Sequence, residues 1–167
     1  MVIEKDDQVI IRKLAASDMN AILELVSQIK SEDNLVESAR AQFTLELDQP
    51  KEEVVRFVAT VHDSVVGSMG CGIGPLPSRH VLWADWLIVD RNCRRNRIAS
   101  LLYAKIEQHA LSLGKRCLCL DIGNIDRERA AYLFHLRNGF QIVGQIPDYW
   151  GELEHLNIMA KHLDSRR

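Results

Sequence analysis

Four arginines, Arg91, Arg94, Arg95 and Arg97, crowd together just ahead of an apolar series at helical spacing: Ile98, Leu101, Leu102, Ile106 and Ala110. Cations are the wrong charge for a helix start. The first backbone N–H groups already carry partial positive charge, and an exposed cation there costs up to about 1 kcal/mol. A bound anion reverses the sign, because free N–H groups following a buried strand make a cradle for phosphate. The pattern therefore asks for a polyphosphate ligand just after Val89. A solvated basic turn carries the same charges, and a small nucleic-acid contact also answers them.

Other reactive side chains are scattered. Asp85 is the one acid in the apolar run Val81–Val89, flanked by Trp83 and Trp86. Cys71, Cys93, Cys117 and Cys119 contain no CxxC pair, so they read as reduced thiols and no metal site is expected. Cys93 lies among arginines that lower a thiol's pKa, yet no paired histidine accompanies it and packing is its ordinary role. Glu32, Asp33, Glu37, Glu152 and Glu154 either draw a cation toward a site or form a solvated acidic face.

The elements that must position these groups interleave. Val9–Arg12 reads as a first strand. Ile22, Leu25, Val26 and Ile29 repeat at helical spacing after a cap at Ser17 or Asp18, and a weaker helix runs from Ser31 through Leu47. Val54–Val61 and Val65–Met69 make a hairpin around His62-Asp63-Ser64. Val81–Val89 is a strand buried on both faces. The helix that follows ends at Gly114, in the C′ position. Cys117–Leu120 is a strand, Asp126–Asn138 a helix, and Phe140–Val143 and Leu156–Ala160 the last strands, joined by a loop with Pro147 and Gly151.

The chain has 167 residues and is expected to form one α/β domain across 1–167 with a mixed sheet. Its apolar share of 47% and charged share of 26% are those of a globular protein. A net charge of −2 and a pI near 6.3 argue against a protein that coats nucleic acid. No apolar run reaches a membrane span and the first residues lack a secretory core. A cytoplasmic protein with no membrane or nucleic-acid partner is the expectation.

Leu87-Ile88-Val89-Asp90-Arg91-Asn92-Cys93-Arg94-Arg95-Asn96-Arg97-Ile98-Ala99-Ser100 resembles the signature of the GNAT family, the GCN5-related N-acetyltransferases. That signature is a strand and polar turn followed by R/Q-x-x-G-x-G/A opening a helix. Arg94 stands at the R/Q position and Ala99 at the final small residue. Arg97 replaces the middle glycine, which lets the backbone approach a pyrophosphate closely. If that residue has ordinary helical φ, an arginine is sterically allowed there. Val55–Gly67 resembles the family's hairpin, Ala131–Phe140 its A-x-x-[LF]-Y-x-x-x-G-F segment with His135 at the tyrosine position, and Asn157–Leu163 its closing strand.

The resemblance implies a mixed sheet of six to seven strands flanked by about four helices. It implies transfer of an acetyl or other acyl group from acetyl-CoA to a primary amine by direct attack, with the acceptor a small molecule or a peptide. The alternative is a weakly active or inactive CoA-binding or regulatory module of the same fold. By resemblance, Leu87, Ile88 and Val89 bind the pantetheine arm. Arg94, Arg95, Asn96, Arg97, Ile98, Ala99 and Ser100 wrap the pyrophosphate, and Asn124 adds a CoA contact. Asp85, in an apolar setting that disfavours charge, is the candidate general base, against a structural hydrogen bond or a solvent-facing side chain. His135 is the candidate general acid by position, against a surface histidine. Tyr149 and Trp150 fall in the last loop, where they contact acceptor or pack on the body. A homodimer is compatible with the family's habits.

Overall fold

The computed structural model describes residues 7–29 and 34–163. In chain order the elements are β1 (Ile10–Lys13), α1 (Met19–Ser27), α2 (Leu35–Asp48), β2 (Val55–Val61), β3 (Ser64–Gly72), β4 (Val81–Val89), α3 (Ile98–Ser112), β5 (Cys117–Ile122), α4 (Arg129–Arg137), β6 (Gln141–Gly151) and β7 (Glu154–His162). Single 3-10 turns precede α1 and α3. One seven-stranded sheet runs β1-β2-β3-β4-β5-β7-β6. Only β4 and β5 are parallel. The expected mixed sheet and four α-helices are thus present.

Alternation along β2 explains the two layers. Val55, Phe57, Ala59 and Val61 turn toward α3 and pack with Leu102, Tyr103 and Ile106, while Val58 turns the other way, against Ile22, Val26 and Phe43 of α1 and α2. Every residue of β2 is buried, Arg56 and Thr60 included. Tyr132 and Phe134 of α4 pack on the α3 side of the sheet. Gly114, at φ +70°, ends the α3 segment as its glycine suggested.

The later elements differ in extent from expectation. The last two strands are longer than their apolar cores, extending into a hairpin from Gln141 to His162, with register shifts at Ile142/Gly144 and Ile146/Gly151. Tyr149 and Trp150 are therefore at the end of β6 and not in a loop. The pairing ladder carries regular structure through polar residues that hydrophobic patterning leaves out. The helix α4 begins at Arg129, because Asn124 holds the preceding turn: its Oδ1 accepts from the backbone N–H of Asp126 and Arg127.

The irregularity that matters lies in β4. Against β3, Ser68 pairs with Ile88 and Gly70 with Asp85, so Trp86 and Leu87 together oppose Met69 alone. This is a bulge, and Trp86 sits at φ +46°. Against β5, pairing covers only Val81–Trp83 with Cys117–Cys119. Beyond Trp83 the two strands part, while β5 stays paired to β7 as far as Ile122.

Gly70 makes room for what lies over the bulge. A β-carbon there would stand 2.5 Å from both Arg56 Nη2 and Asp85 Oδ1. Gly70→Ala is expected to destabilise the fold by roughly 2 kcal/mol or more by prising that pair apart; urea unfolding measures it, and a loss within 0.5 kcal/mol (about the scatter of an ordinary surface change) would contradict the packing described.

Candidate functional site

The parting of β4 and β5 leaves one edge of β4, from Ala84 to Val89, without a strand partner among the described residues. Its backbone groups face a gap and can pair with an extended ligand as a strand would. Leu87 and Val89 pack toward α3, and Ile88 is buried toward α1. Their side chains thus belong to the two cores, and only their backbone is offered to the gap.

At the C-terminal end of β4 the chain makes a tight basic turn. The Asp90 side chain accepts from Gln28 Nε2 at 2.9 Å and from the backbone N–H of Asn92 at 2.8 Å. These bonds, the Gln28 amide first, hold its carboxyl below the usual range. Gln28 also accepts from Arg91 N at 3.1 Å, tying the turn to the end of α1. Arg94 folds back so that Nε donates to Val89 O at 3.3 Å, and Asn96 Nδ2 donates to the carbonyls of Cys93 and Arg94. Cys93 is buried under the turn, and burial raises its thiol pKa, the reverse of activation by neighbouring arginines.

Arg95 and Arg97 have φ of +67° and +60°. Arg97 is the N-cap of α3, left-handed and without a side-chain cap. The ordinary helical φ that would have excused the missing glycine is therefore absent. The turn keeps the glycine conformation with an arginine in it, at a cost of about 1–2 kcal/mol. In return a third basic side chain stands where the first N–H groups of α3 point outward. Ile98 is core, Ala99 is partly covered and Ser100 is exposed, so this end of the helix offers backbone and one hydroxyl.

On the α1–α2 face of the bulge the apolar setting expected for Asp85 is not found. Asp85 Oδ1 accepts from Arg56 Nη2 at 2.7 Å and Oδ2 from Gln42 Nε2 at 2.7 Å. Arg56 is 3% exposed. It also donates through Nε and Nη2 to both oxygens of Glu46, at 2.9 and 2.8 Å. Its Cζ lies 4.0 Å from the centre of the Phe43 ring. Gln42 spans the cluster, donating to Glu46 as well and accepting from Trp86 Nε1 at 2.8 Å. That last bond holds the strained Trp86. Beside the cluster is a cleft of about 230 Å³ that Glu46, Asp85, Leu45 and Ile73 help to line.

Across the gap, alternation puts Leu118, Leu120 and Ile122 of β5 in the core and turns Cys117, Cys119 and Asp121 to the opposite face, the face of Asp85. Asp121 is exposed at this edge; the protein packed beside it and the charge of Asp85 push its carboxyl above the usual range. Glu128, which accepts from Gly123 N at 3.1 Å, is likewise raised, first by burial and then by Asp121. Asn124, expected to meet a ligand, spends its side-chain oxygen on the turn before α4.

His135 is neither on the surface nor at the gap's acidic side. It is 8% exposed, with ring contacts to Tyr103, Phe134 and Phe140 and the Tyr103 hydroxyl 2.7 Å from Nδ1. Burial lowers its pKa to about 4. A neutral imidazole at pH 7 has no imidazolium proton to give, which weighs against the general-acid role expected for it by position. Tyr149 and Trp150 are 53% and 59% exposed and stacked edge to face at 4.7 Å. Of the scattered acids, Glu154 pairs with Arg127 and Glu37 lies near Arg40, while Glu32 and Asp33 fall outside the described residues. Sequence reading missed Gln42, Glu46, Arg56, Asp121 and Glu128. The signal for Arg56 was available, as the lone charge in a seven-residue strand otherwise apolar but for Thr60.

Residues 19–140 match the family model described as Acetyltransferase (GNAT) family. Solved structures share the fold at low identity. A GNAT-family protein from Desulfovibrio desulfuricans superposes with a TM-score of 0.86 at 16% identity, over 94% of this chain and 100% of its own. The aminoglycoside 6'-N-acetyltransferase of Enterococcus faecium gives 0.74 at 20%, over 95% and 99%. The Salmonella typhimurium protein yncA, solved with its cofactor acetyl-CoA, gives 0.73 at 18%, over 95% of each chain. No curated protein matches in sequence.

The buried His135 generates a stability prediction. Its pKa falls from the ordinary 6.5 to about 4 on folding, so between those values the unfolded chain binds more protons. The stability is fully present above pH 6.5 and is lost as pH falls toward 4, by roughly 3 kcal/mol in total. His135→Gln is expected to flatten this acid limb in urea unfolding between pH 7 and 4.5; parallel losses in the two proteins would contradict it.

Proposed function

From the premise that the chain belongs to the GNAT family of acetyltransferases, we propose that it transfers an acetyl group from acetyl-CoA to a primary amine by direct attack. The observation that carries this reading is the parting of β4 and β5 immediately before a basic, left-handed turn. A thioester on an extended arm with a pyrophosphate at its far end fits that pair of features. The arm lies along the backbone of Leu87, Ile88 and Val89. The pyrophosphate meets the N–H groups of the turn and of Ile98, Ala99 and Ser100, with the side chains of Arg94, Arg95 and Arg97 around it and Asn96 bracing the loop. The acetyl carbonyl then reaches the bulge at Trp86. Asn124 borders the far side of the gap with its side-chain nitrogen available to the arm.

The acceptor comes from the other face. Glu46 and Asp85 place two carboxylates against one guanidinium, so the cluster is net negative beside the cleft. A cationic amine is the substrate this charge selects. Tyr149 and Trp150, exposed at the end of β6, suit contact with the body of the acceptor. The acceptor's deprotonation needs a group that stays free to take a proton, and Asp85 has both oxygens held by donors. Asp85 is therefore assigned to holding the ammonium.

Acetyl-CoA and CoA are expected to raise the melting temperature, with ATP and NAD giving little. At about 100 times its dissociation constant a ligand adds roughly 2.7 kcal/mol. Arg94→Ala combined with Arg95→Ala is expected to weaken that effect about tenfold or more in ligand concentration. Acetyl transfer to a panel of small amines and peptides, followed by release of free thiol, tests the reaction itself. No stabilisation by either thioester or thiol, or equal stabilisation by all four ligands, would contradict the reading.

A further inference from the structure

Resting on that acyltransferase reading, we infer that Asp121 is the catalytic residue that takes the acceptor's proton, working across the gap from Asp85, which Arg56 and Gln42 hold in place. The last β4–β5 pair is Trp83 with Cys119. Asp85 and Asp121 are each two residues beyond it, on strands that part at that point. Both turn to the face opposite the α3 core. They flank the mouth of the gap through which an acetyl group and an amine must meet.

Their surroundings then divide the work. Asp85 is bonded to Arg56 and Gln42, and Arg56, buried and bonded to Glu46 as well, cannot lose its charge. These bonds fix the position of Asp85. Asp121 has no side-chain donor among the described residues. The charged groups around it are Asp85 from β4, with Arg56 and Glu46 behind, and Glu128 from the turn before α4. Arg127 is turned away to Glu154, at 2.9 Å. From β7 it faces Ile158 in the ladder, with Asn157 next to it bonded to Gly123 O. A carboxylate held on one side of the gap raises the proton affinity of the carboxyl on the other side, which makes Asp121 the better base. An ammonium seated between them satisfies both charges. Once it gives up a proton, repulsion from Asp85 keeps that proton on Asp121.

One N–H proton of the ammonium passes to the Asp121 carboxylate. The freed nitrogen lone pair forms the C–N bond to the acetyl carbon as its C–S bond breaks. The second nitrogen proton goes with the sulfur to give the CoA thiol. Asp121 then releases its proton to solvent.

The test is a comparison of wild type, Asp121→Asn, Asp121→Glu and Asp85→Asn, read in two ways. The first is the pH profile of kcat/KM with the best amine of the panel, alongside melting temperature with and without acetyl-CoA. Asp121→Asn is expected to lower kcat at least 100-fold and to remove the acid limb, while leaving stabilisation by acetyl-CoA intact. Asp121→Glu keeps the limb, and Asp85→Asn acts mainly on KM. The second is carboxyl NMR titration, which needs no turnover. Asp121 is expected to titrate above the other aspartates and to move down in Asp85→Asn. An Asp121→Asn enzyme that keeps the acid limb, or an Asp121 that titrates without regard to Asp85, overturns the inference while the acyltransferase reading stands. A coupled Asp121 in a wild type that acetylates no amine overturns that reading and this role with it.

Discussion

A guanidinium taken out of water costs several kcal/mol unless its charge is met, and Arg56 is met from two elements at once, α2 and β4, with only its Nη1 left without a hydrogen-bond partner among the described residues. It rises from the fully buried β2, pairs with Glu46 of α2 and Asp85 of β4, and lies over the ring of Phe43. Gly70 of β3 leaves the space in which the pair can close. One side chain thus fixes how α2 sits on the sheet, where Asp85 points and how much negative charge faces the cleft. The desolvation cost is recovered in position: the site's anionic half cannot be rearranged without exposing a buried charge.

The gap beside it comes from broken regularity. An unbulged β4 would carry its pairing with β5 along its length and offer no free edge. The extra residue at Trp86 turns the strand, and the Trp86–Gln42 hydrogen bond holds it at a positive φ. At the other end, Arg95 and Arg97 hold left-handed conformations where glycine is easier. Strain of this kind persists only where the surroundings over-determine it. Here Asp90, Gln28 and Asn96 do so, through bonds that fix the turn before α3 begins.

The sequence made the architecture legible because its signals are local. The β2–β3 hairpin, the apolar β4, the helical spacing of α3 and the glycine behind it are each readable within about ten residues, and their order carried the family resemblance. The site was legible only where it is made of backbone next to a motif, as at Leu87–Val89 and Arg94–Ser100. Asp85 was found, but its environment was not, because its partners are 29 and 43 residues away in the chain. His135 stands at the family's tyrosine position, yet only three-dimensional packing puts Tyr103 against it. Asp121 was hidden because a period-two alternation shows which residues share a face without showing what lies across a gap. The last hairpin was underestimated for the opposite reason: its ladder of backbone bonds extends well past its apolar core.

The site depends most on Arg56 acting on Asp85, so the direct measurement is a double-mutant cycle in urea unfolding with Arg56→Met, Asp85→Asn and both together. If the buried pair organises the site, Arg56→Met alone costs about 3–5 kcal/mol and the two substitutions couple by more than about 1.5 kcal/mol. If the losses add within about 0.5 kcal/mol, as they do for independent positions, the pair is an incidental contact and the division of labour between the carboxylates has no foundation.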